Sequence, residues 1–455
     1  MDKLIPIFYT LYGRYISRFR AIPLYADALT VVQRRLLLCL HEIARGPKTV
    51  KSAKVVGHAI GNYHPHAECY GPLVNLAKQG FLKTQGNFGS PGLDDSNASA
   101  MRYTECHLKK WVEDFCFKYI DFVPWENFEY ENEPLFLPCP LPLGLIGDGD
   151  IYLGVAFHKC VMPRYKIPEL AKRLRWLLKG GDEPIIYPNF ESNGCSTYPD
   201  DAAAKSILNT GIGTLTLIPE SYIDNTTLHI CGRVPQTSYN KLREDTTISI
   251  NCMSGKTIDI EVKPTRKQDD IQSFYDNIYK KYLIKNINFN ICVCDEEGTV
   301  TVRGVDELLQ TCYGYYVECV KYKLIDDCNK EIIKKYENEI ILIIRNVFNN
   351  NPTVKTIEDL IKILRAKTIT SKITISTESY DLEKDIWISN NSEIEDSDIK
   401  NVCNNRTIKS LIEQKINIDL NDLKIIEIKK QINEIVEYNS KNDDDSLFLK
   451  FKDIL

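Results

Sequence analysis

Apolar residues between positions 30 and 80 recur at helical spacing and are interrupted at definite places, which constrains the fold more than any other feature. Val32, Leu36, Leu40 and Ile43 share one helix face, and Gly46-Pro47 ends that helix. A further helix is predicted from Ser52, as its N-cap, to residue 60, and another from Ala67 to Gly80. Two helices joined by a short turn are the geometry of a helix-turn-helix, whose second helix enters the major groove of DNA.

The turn between those two helices is rich in histidine, which is unusual for a simple connector. His64 and His66, together with Cys69, suggest either metal ligands or contacts to phosphate. A fourth ligand is missing and the spacing matches no common zinc pattern, so we favour phosphate contact. Gln33, Arg34 and Arg35, on the preceding helix, fall largely off its apolar stripe.

Charge is distributed unevenly along the 455 residues. The chain carries 57 Lys+Arg against 62 Asp+Glu, yet residues 1–110 hold 15 basic and 7 acidic side chains. Five of the seven histidines also lie in this first section. A basic section on an acidic chain predicts a local site for a polyanion.

An arginine stands directly before a tyrosine in this basic section, at Arg102-Tyr103, after the glycine-rich segment 84–90. A phenol with a pKa of about 10 is a poor nucleophile near neutral pH. It can attack phosphorus when a neighbouring cation lowers that pKa and neutralises charge on the phosphoryl oxygens. An isolated Arg-Tyr pair is usually only a packed tyrosine beside a solvated arginine, but this one lies among many cations.

The rest of the chain predicts an α+β protein of about three domains. Segment 144–154 reads as a glycine-rich hairpin that presents one apolar residue at its tip, and its Asp148-x-Asp150 lacks the downstream glutamate of a calcium loop. Alternating apolar residues predict strands between 185 and 310, including 214–218, 227–231 and 257–262, with a helix at 269–282.

Helical periodicity returns from Leu308 and stops near Pro352. The acidic, Asn- and Ser-rich stretch 381–405 predicts a loop, and 408–438 predicts a returning helix. Two long helices around a small unit are typical of an antiparallel coiled coil with a globular tip, and an ordinary helical domain is the alternative.

The fifteen cysteines are scattered without a C-x-x-C pair, which favours reduced thiols in a cytoplasmic protein. The N-terminus lacks the form of a signal peptide, and no run approaches the ~20 apolar residues of a membrane span. We therefore expect a soluble, cytoplasmic protein.

Six segments in the first 105 residues together resemble the breakage-reunion (A) subunit of bacterial type IIA DNA topoisomerases, that is, of gyrase or topoisomerase IV. They are Arg20-Ala21-Ile22-Pro23, Val32-Gln33-Arg34-Arg35, residues 51–57 (KSAKVVG), Tyr63-His64-Pro65-His66, residues 85–90 (QGNFGS) and residues 100–105 (AMRYTE). The resemblance implies three domains: a winged-helix DNA-gate domain at 1–125, a tower-like α/β domain at 126–310, and a coiled coil with a small helical dimerisation tip at 311–455.

The resemblance also implies roles for individual residues. Tyr103 would become joined to a DNA 5′-phosphate, with Arg102 and Arg20 as catalytic partners and Ile151 as a wedge that kinks the DNA. The remaining implied DNA contacts are Gln33, Arg34, Arg35, Lys54, His64, His66, Asn87, Ser90 and Thr104.

Cofactors and partners follow from the same resemblance. No metal ligand set is expected in this chain, because the family holds Mg²⁺ mainly on an ATPase partner subunit that also binds ATP. Two copies, paired through the C-terminal domain, would join two partner subunits and double-stranded DNA, without a membrane. The acidic end and the missing wrapping domain predict relaxation and decatenation rather than supercoiling.

Some positions depart from the family pattern. Ala28-Leu29-Thr30-Val31 replaces the usual G-L-K-P, Ala67-Glu68-Cys69 replaces Gly-Asp-Ser, and Asp150 replaces a glycine. Two alternatives therefore stay open: a helix-turn-helix DNA-binding protein without catalysis, and a degenerate topoisomerase paralogue.

Overall fold

The computed structural model describes most of the chain and divides it into two compact units, residues 1–316 and 317–455. The described residues are 4–44, 46–65, 68–89, 97–127, 131–148, 151–235, 237, 239–254, 258–268, 270–351, 356–367, 374–382, 384–403, 416 and 418–441. The architecture mixes helices with antiparallel sheets, as the sequence predicts. The domain divisions at 125 and 310 stay predictions.

The first unit begins with the predicted series of helices. They are α1 (Leu4–Ile16) with a π-helical turn (Ser17–Ala21), α2 (Val31–Ile43), α3 (Ser52–Asn62) and α4 (Tyr70–Lys78). Ser52 is the first helical residue of α3, and the N-cap position belongs to Lys51. Helix α4 begins at Tyr70, three residues later than predicted, where the Glu68 carboxylate accepts the Tyr70 N–H at 2.9 Å.

Three short strands form an antiparallel sheet beside these helices. Strand β3 (Glu105–Leu108) lies between β1 (Val50–Lys51) and β2 (Leu82–Gln85). Strand β1 leads directly into α3, and β3 directly follows the Arg102-Tyr103 pair. The sheet therefore holds the start of α3 and the end of the loop that carries Arg102 and Tyr103.

The remainder of the first unit contains small helices and two larger antiparallel sheets. Its helices are α5 (Lys110–Cys116), α6 (Ile167–Lys179), α7 (Asp201–Thr210), α8 (Asn240–Arg243) and α9 (Ile271–Ile278). Its strands are β4 (Trp125–Asn127), β5 (Asn132–Pro134), β6 (Tyr152–Val155), β7 (Lys159–Met162), β8 (Cys195–Thr197), β9 (Ile212–Pro219), β10 (Ser221–Asp224), β11 (Thr227–Ile230), β12 (Ile248–Cys252), β13 (Ile260–Pro264), β14 (Lys285–Asn290), β15 (Cys292–Cys294) and β16 (Val300–Val302).

The larger sheets have the orders β6-β7-β14-β9-β8 and β10-β11-β13-β12. Helix α9 covers the second sheet, where Tyr275 and Ile278 pack with Leu228, Ile260 and Val262 in one buried cluster. The predicted strands near 214–218 and 227–231 and the helix near 269–282 are confirmed. Alternation of apolar side chains identified these strands because each sheet has one buried face.

The hairpin predicted around residue 150 is displaced from its expected position. Strands β6 and β7 pair antiparallel, and residues 156–158 form the turn between them. Ile151 precedes β6 and is buried, whereas Val155 and Phe157, near the turn, are exposed. The expectation of Ile151 as an exposed tip residue is therefore wrong for the chain without DNA. Glycine density suggested the turn, but Gly144 and Gly147 precede β6 and Gly154 lies within it.

The second unit contains most of the long helix α10 (Val305–Asn350), then α11 (Ile357–Lys367), β17 (Thr374–Asp381), β18 (Ile386–Glu393), α12 (Asp396–Cys403) and α13 (Ile418–Lys441). The loop predicted at 381–405 is wrong in its described part. Eight register pairs join β17 to β18, and Ile399, Val402 and Cys403 of α12 are buried. Polar composition misled the prediction because the hairpin exposes much of its surface.

The two long helices lie side by side and run in opposite directions in this unit. Lys335 pairs with Asp422 at 2.7 Å, and Glu331 accepts a hydrogen bond from Asn421 at 3.1 Å and pairs with Lys424. The predicted return helix is confirmed over 418–438. Its first residues, 408–415, lie outside the described part of the chain.

Two simpler expectations concern membranes and disulfides. Among the described residues, we find no helix with the length and apolar character needed to cross a bilayer. All fifteen cysteines are described and all are free thiols, as predicted.

Gly144 lies where the middle of the chain touches the segment before α2. Its N–H donates to the Asp27 carbonyl at 3.2 Å. A Cβ at this position would lie 1.7 Å from the Ala28 carbonyl oxygen. Only glycine allows this approach, because the nearest atoms that a Cβ would meet belong to the Ala28 backbone and cannot rotate away.

We expect Gly144→Ala to lower the free energy of unfolding by about 2 kcal/mol or more, since the backbone must separate to admit the methyl group. Gly57→Ala, within α3, is the matched control, because its added Cβ meets nothing within 4 Å. The control should keep or raise stability by up to about 1 kcal/mol. Chemical denaturation measures both, and equal effects would contradict this account.

Candidate functional site

Arg102 and Tyr103 project into solvent from a short loop before β3. The Tyr103 side chain is 63% exposed although tyrosine is a large, partly apolar residue. The Arg102 guanidinium carbon lies 4.8 Å from the centre of the Tyr103 ring, within range of a cation–π contact. The pair therefore presents a phenol and a fixed positive charge together on the surface.

Backbone hydrogen bonds from the start of α3 hold this loop. The Ser52 N–H donates to the Thr104 carbonyl at 2.9 Å, and the Ala53 N–H donates to the Met101 carbonyl at 3.2 Å. The first N–H groups of a helix lack partners within the helix, and here the loop carbonyls satisfy them. The loop position is thus tied to the helix-turn-helix segment, which also carries exposed Lys54.

Thr104 anchors the loop through its buried side chain. It is fully buried, and its hydroxyl donates to Ser52 Oγ at 2.8 Å and lies 3.0 Å from the Tyr70 hydroxyl. Tyr70 also donates to the Ser99 carbonyl at 2.5 Å. The implied DNA contact by Thr104 does not match this position, because its side chain supports the loop instead of facing solvent.

Gly86 allows the glycine-rich segment to approach the tyrosine closely. Its φ is +94°, and a Cβ there would lie 2.8 Å from the Tyr103 carbonyl oxygen. The next residue, Asn87, is exposed, and its carbonyl accepts the Ser99 N–H at 2.9 Å. The glycine-rich sequence is therefore needed to support the Tyr103 loop.

Two arginines expected near DNA are instead buried in ion pairs. Arg34 binds the Asp27 carboxylate through two nitrogens, at 2.8 and 3.1 Å. Arg35 binds Glu133, with a nitrogen–oxygen distance of 2.5 Å, and lies 2.9 Å from His64 Nδ1. The view that these arginines lie off the packed face is wrong: α2 is buried on several sides, and the Asp27 and Glu133 carboxylates neutralise its two arginines.

Gln33 also has a structural partner. Its carbonyl oxygen accepts hydrogen bonds from the Thr30 N–H and hydroxyl, both at 3.0 Å, which forms a capping box at the start of α2. This gives a local reason for threonine at position 30, where the family pattern has lysine, because threonine can cap a helix and lysine cannot.

The predicted site residues therefore separate into two described groups. Exposed residues are Arg20, Lys54, Asn87, Arg102 and Tyr103, whereas Gln33, Arg34, Arg35, His64, Thr104 and Ile151 are buried. His66 and Ser90 lie outside the described residues. Their individual roles stay predictions.

An open depression with two exposed lysines lies beside the small sheet. It has a volume of about 540 Å³ and is lined by Pro47, Lys48, Thr49, Lys83, Thr84, Gln85 and His107. Lys48 and Lys83 extend the basic surface beyond the residues that the sequence pattern identified. Their sign suits a phosphate backbone.

Among the described residues, the donor set around Tyr103 does not fit a magnesium ion of its own. Glu105 is the nearest carboxylate in sequence, and its oxygens are engaged by Lys51 at 2.7 Å and Thr49 at 2.7 Å. These hydrogen bonds lower the pKa of the Glu105 carboxyl. A single carboxylate that already holds an ion pair gives little of the oxygen coordination that Mg²⁺ prefers.

Sequence reasoning missed another group of possible ligands, at Cys39, Glu42 and His58. One ligand atom from each lies within 4.8 Å of the others. Cys39 and Glu42 are three residues apart on α2, and His58 faces them from α3. The helical spacing was visible in the sequence, but the pairing of the two helix faces was not.

A tyrosine–arginine pair is thus displayed beside helices α3 and α4 and a basic surface. Residues 20–447 match the family model for the A subunit of DNA gyrase/topoisomerase IV, and the chain belongs to that family.

Several curated relatives carry the same family description. The DNA gyrase A subunit of Helicobacter pylori (strain J99) is 27% identical over 412 residues, which cover 84% of this chain and 43% of that protein. The DNA gyrase A subunit of Clostridium acetobutylicum is 32% identical over 48% of this chain and 28% of its own length. The DNA topoisomerase 4 A subunit of Neisseria gonorrhoeae is 32% identical over 46% of this chain and 29% of its own length. The chain thus spans less than half the length of each of these relatives.

We expect Asp27→Ala to lower the free energy of unfolding by about 3–5 kcal/mol, because it leaves the buried Arg34 without its counter-charge. Asp114→Ala is the matched control, since it breaks the exposed pair with Lys110 and should change stability by less than about 1 kcal/mol. Denaturant titration of both variants measures the difference. A small loss for Asp27→Ala would show that Arg34 finds another partner.

Proposed function

We propose that this chain is the breakage-reunion subunit of a type IIA DNA topoisomerase and that Tyr103 is its nucleophile. The observation that carries the proposal is an exposed tyrosine in cation–π contact with an arginine. Both lie on a loop that is hydrogen-bonded to a helix-turn-helix segment. Membership of the family of gyrase and topoisomerase IV A subunits supports the same role.

The reaction would be a transesterification at phosphorus. The Tyr103 oxygen forms a bond to a backbone phosphorus, the bond from phosphorus to the 3′-oxygen breaks, and the DNA 5′-phosphate stays on the protein. The phenol gives up one proton and the departing 3′-oxygen takes up one, so the step is balanced. Resealing is the reverse attack by the 3′-hydroxyl, and it needs no ATP because the phosphotyrosyl bond retains the energy of the phosphodiester.

Arg102 would stabilise the charge that develops on the phosphoryl oxygens. Its guanidinium is exposed and already adjacent to the Tyr103 ring, so it needs little rearrangement to reach a phosphate at the hydroxyl. Lys54, Arg20, Lys48 and Lys83 are exposed and suited to positioning the DNA backbone. The buried Arg34 and Arg35 would act mainly by fixing α2.

The surrounding architecture has a corresponding interpretation. Helices α2, α3 and α4 with the β1-β3-β2 sheet would form the winged-helix DNA gate, and the two larger sheets the tower domain. Helices α10 and α13 would form the coiled coil that leads to a dimer contact. Ile151 would act as the DNA wedge only after the DNA-bound chain has moved it out of its buried position.

The complete enzyme would contain two copies of this chain, two ATPase subunits and a DNA duplex. Mg²⁺ and ATP would be bound mainly by those partners. Residues 111–455 hold 42 Lys+Arg against 55 Asp+Glu, which disfavours extensive DNA wrapping there and supports relaxation and decatenation as the products.

We expect Tyr103→Phe to abolish covalent protein–DNA adducts while DNA affinity changes less than about threefold, because the change removes one hydroxyl and no cation. The assay denatures a cleavage reaction that contains the ATPase partner and labelled DNA, and then separates adducts by size. Tyr198→Phe is the matched control, since Tyr198 is 60% exposed in the same unit. Adducts formed by Tyr103→Phe would exclude Tyr103 as the nucleophile. A wild-type chain without adducts would favour the non-catalytic or degenerate alternatives.

For Arg102→Ala we expect cleavage at least about 100-fold slower, the effect of removing one donor that stabilises the transition state. Single-turnover adduct formation at saturating DNA measures this rate separately from binding. Arg266→Ala removes an exposed arginine elsewhere in the same unit and should leave the rate unchanged. A normal rate with weaker binding in Arg102→Ala would reassign Arg102 to DNA contact alone.

A further inference from the structure

Cys39, Glu42 and His58 converge between α2 and α3, and the proposed cleavage chemistry uses none of them. Their ligand atoms lie within 4.8 Å of one another. Cys39 is fully buried at the inner end of the group, whereas Glu42 and His58 are partly exposed at its outer end. Together they form a small site with a thiol inside and an opening to solvent.

We propose that Cys39, Glu42 and His58 bind a divalent transition-metal ion, with Zn²⁺ as the best match. A thiolate, an imidazole and a carboxylate are all ordinary zinc ligands, and three protein ligands leave one position for water. Softness of the sulfur disfavours Mg²⁺ and Ca²⁺, which prefer oxygen ligands.

The distances between the three ligand atoms need only modest adjustment to accommodate the ion. Zinc–ligand bonds of about 2.0–2.3 Å place neighbouring ligand atoms of a tetrahedron roughly 3.3 to 3.8 Å apart. His58 Nε2 and Glu42 Oε2 are now 2.8 Å apart, in a hydrogen bond that the metal would replace. The outer pair would therefore open slightly while Cys39 moves closer, and side-chain rotation can supply both changes.

Neighbouring side chains already hold two of the ligands in place. The Tyr63 hydroxyl donates to the other Glu42 oxygen at 2.6 Å. The Asn62 amide nitrogen lies 3.1 Å from His58 Nδ1, and rotation of that amide would let its oxygen accept an Nδ1–H while Nε2 binds the metal. Such outer contacts orient metal ligands, and their presence here favours a built site.

The electrostatic surroundings also favour a cation. The Glu42 carboxylate lies near the Cys39 sulfur and adds negative charge to the group. Binding of a divalent ion would release the thiol proton and join α2 to α3, the helix that holds the Tyr103 loop.

A metal titration of the purified, reduced full-length chain tests this proposal without any cleavage assay. We expect one equivalent of Co²⁺ to give a thiolate-to-cobalt charge-transfer absorption that Zn²⁺ then removes. Zn²⁺ should also raise the midpoint of thermal unfolding, because it binds the folded form. No charge-transfer band at one equivalent would overturn the proposal.

Substitutions of these three residues test whether the metal binds at this site. Cys39→Ser should lose the band, whereas Cys106→Ser, which removes an equally buried thiol from β3, should retain it. Glu42→Gln and His58→Asn should each weaken Zn²⁺ binding by at least about tenfold, and their partial exposure makes misfolding less of a concern. A band that persists in Cys39→Ser, or Zn²⁺ affinity unchanged in both Glu42→Gln and His58→Asn, would show that the metal binds elsewhere.

Discussion

The Asp27 carboxylate accepts four hydrogen bonds from three residues, and the arrangement of the candidate site depends on it. Two come from Arg34 on α2, one from the Leu29 N–H and one from the Leu137 N–H. The carbonyl of the same residue accepts the Gly144 N–H. Asp27 therefore joins the start of α2 to residues more than a hundred positions later. Because each bond is buried, water cannot replace it without cost.

Helix α2 supports the Tyr103 loop through the helices that pack against it. Helix α2 packs with α3 and α4, and the first N–H groups of α3 hold the carbonyls of the Tyr103 loop. Thr104 and Gly86 complete the support, one by a buried hydroxyl and the other by the absence of a side chain. The Tyr103 side chain is thus 63% exposed and still held in place, because its backbone is restrained on both sides.

Local periodicity was enough to predict the first helices, the long helices after residue 308 and the strands near 214–218 and 227–231. It failed for Arg34 and Arg35, because helical spacing does not show that Asp27, seven residues before Arg34, or Glu133, 98 residues after Arg35, folds against them. It failed for Ile151 because glycine content marks a bend without giving the register of the strands that follow. It also failed for 386–393, where a polar hairpin is held by cross-strand hydrogen bonds that composition does not reveal. The Cys39, Glu42 and His58 group required the relative rotation of two helices, which no single segment encodes.

Because Arg102 and Tyr103 are exposed, substitutions there can change activity without changing the stability of the fold. Neither side chain fills the core, so a lineage that loses either one keeps a well-folded protein. Such a protein would escape the quality control that removes misfolded chains. Under the proposed function, it would persist in the cell at normal abundance and compete with active copies for the same assemblies and the same DNA. Inactivating changes at these two positions should therefore be genetically dominant, whereas changes at Asp27 or Gly144 should be recessive.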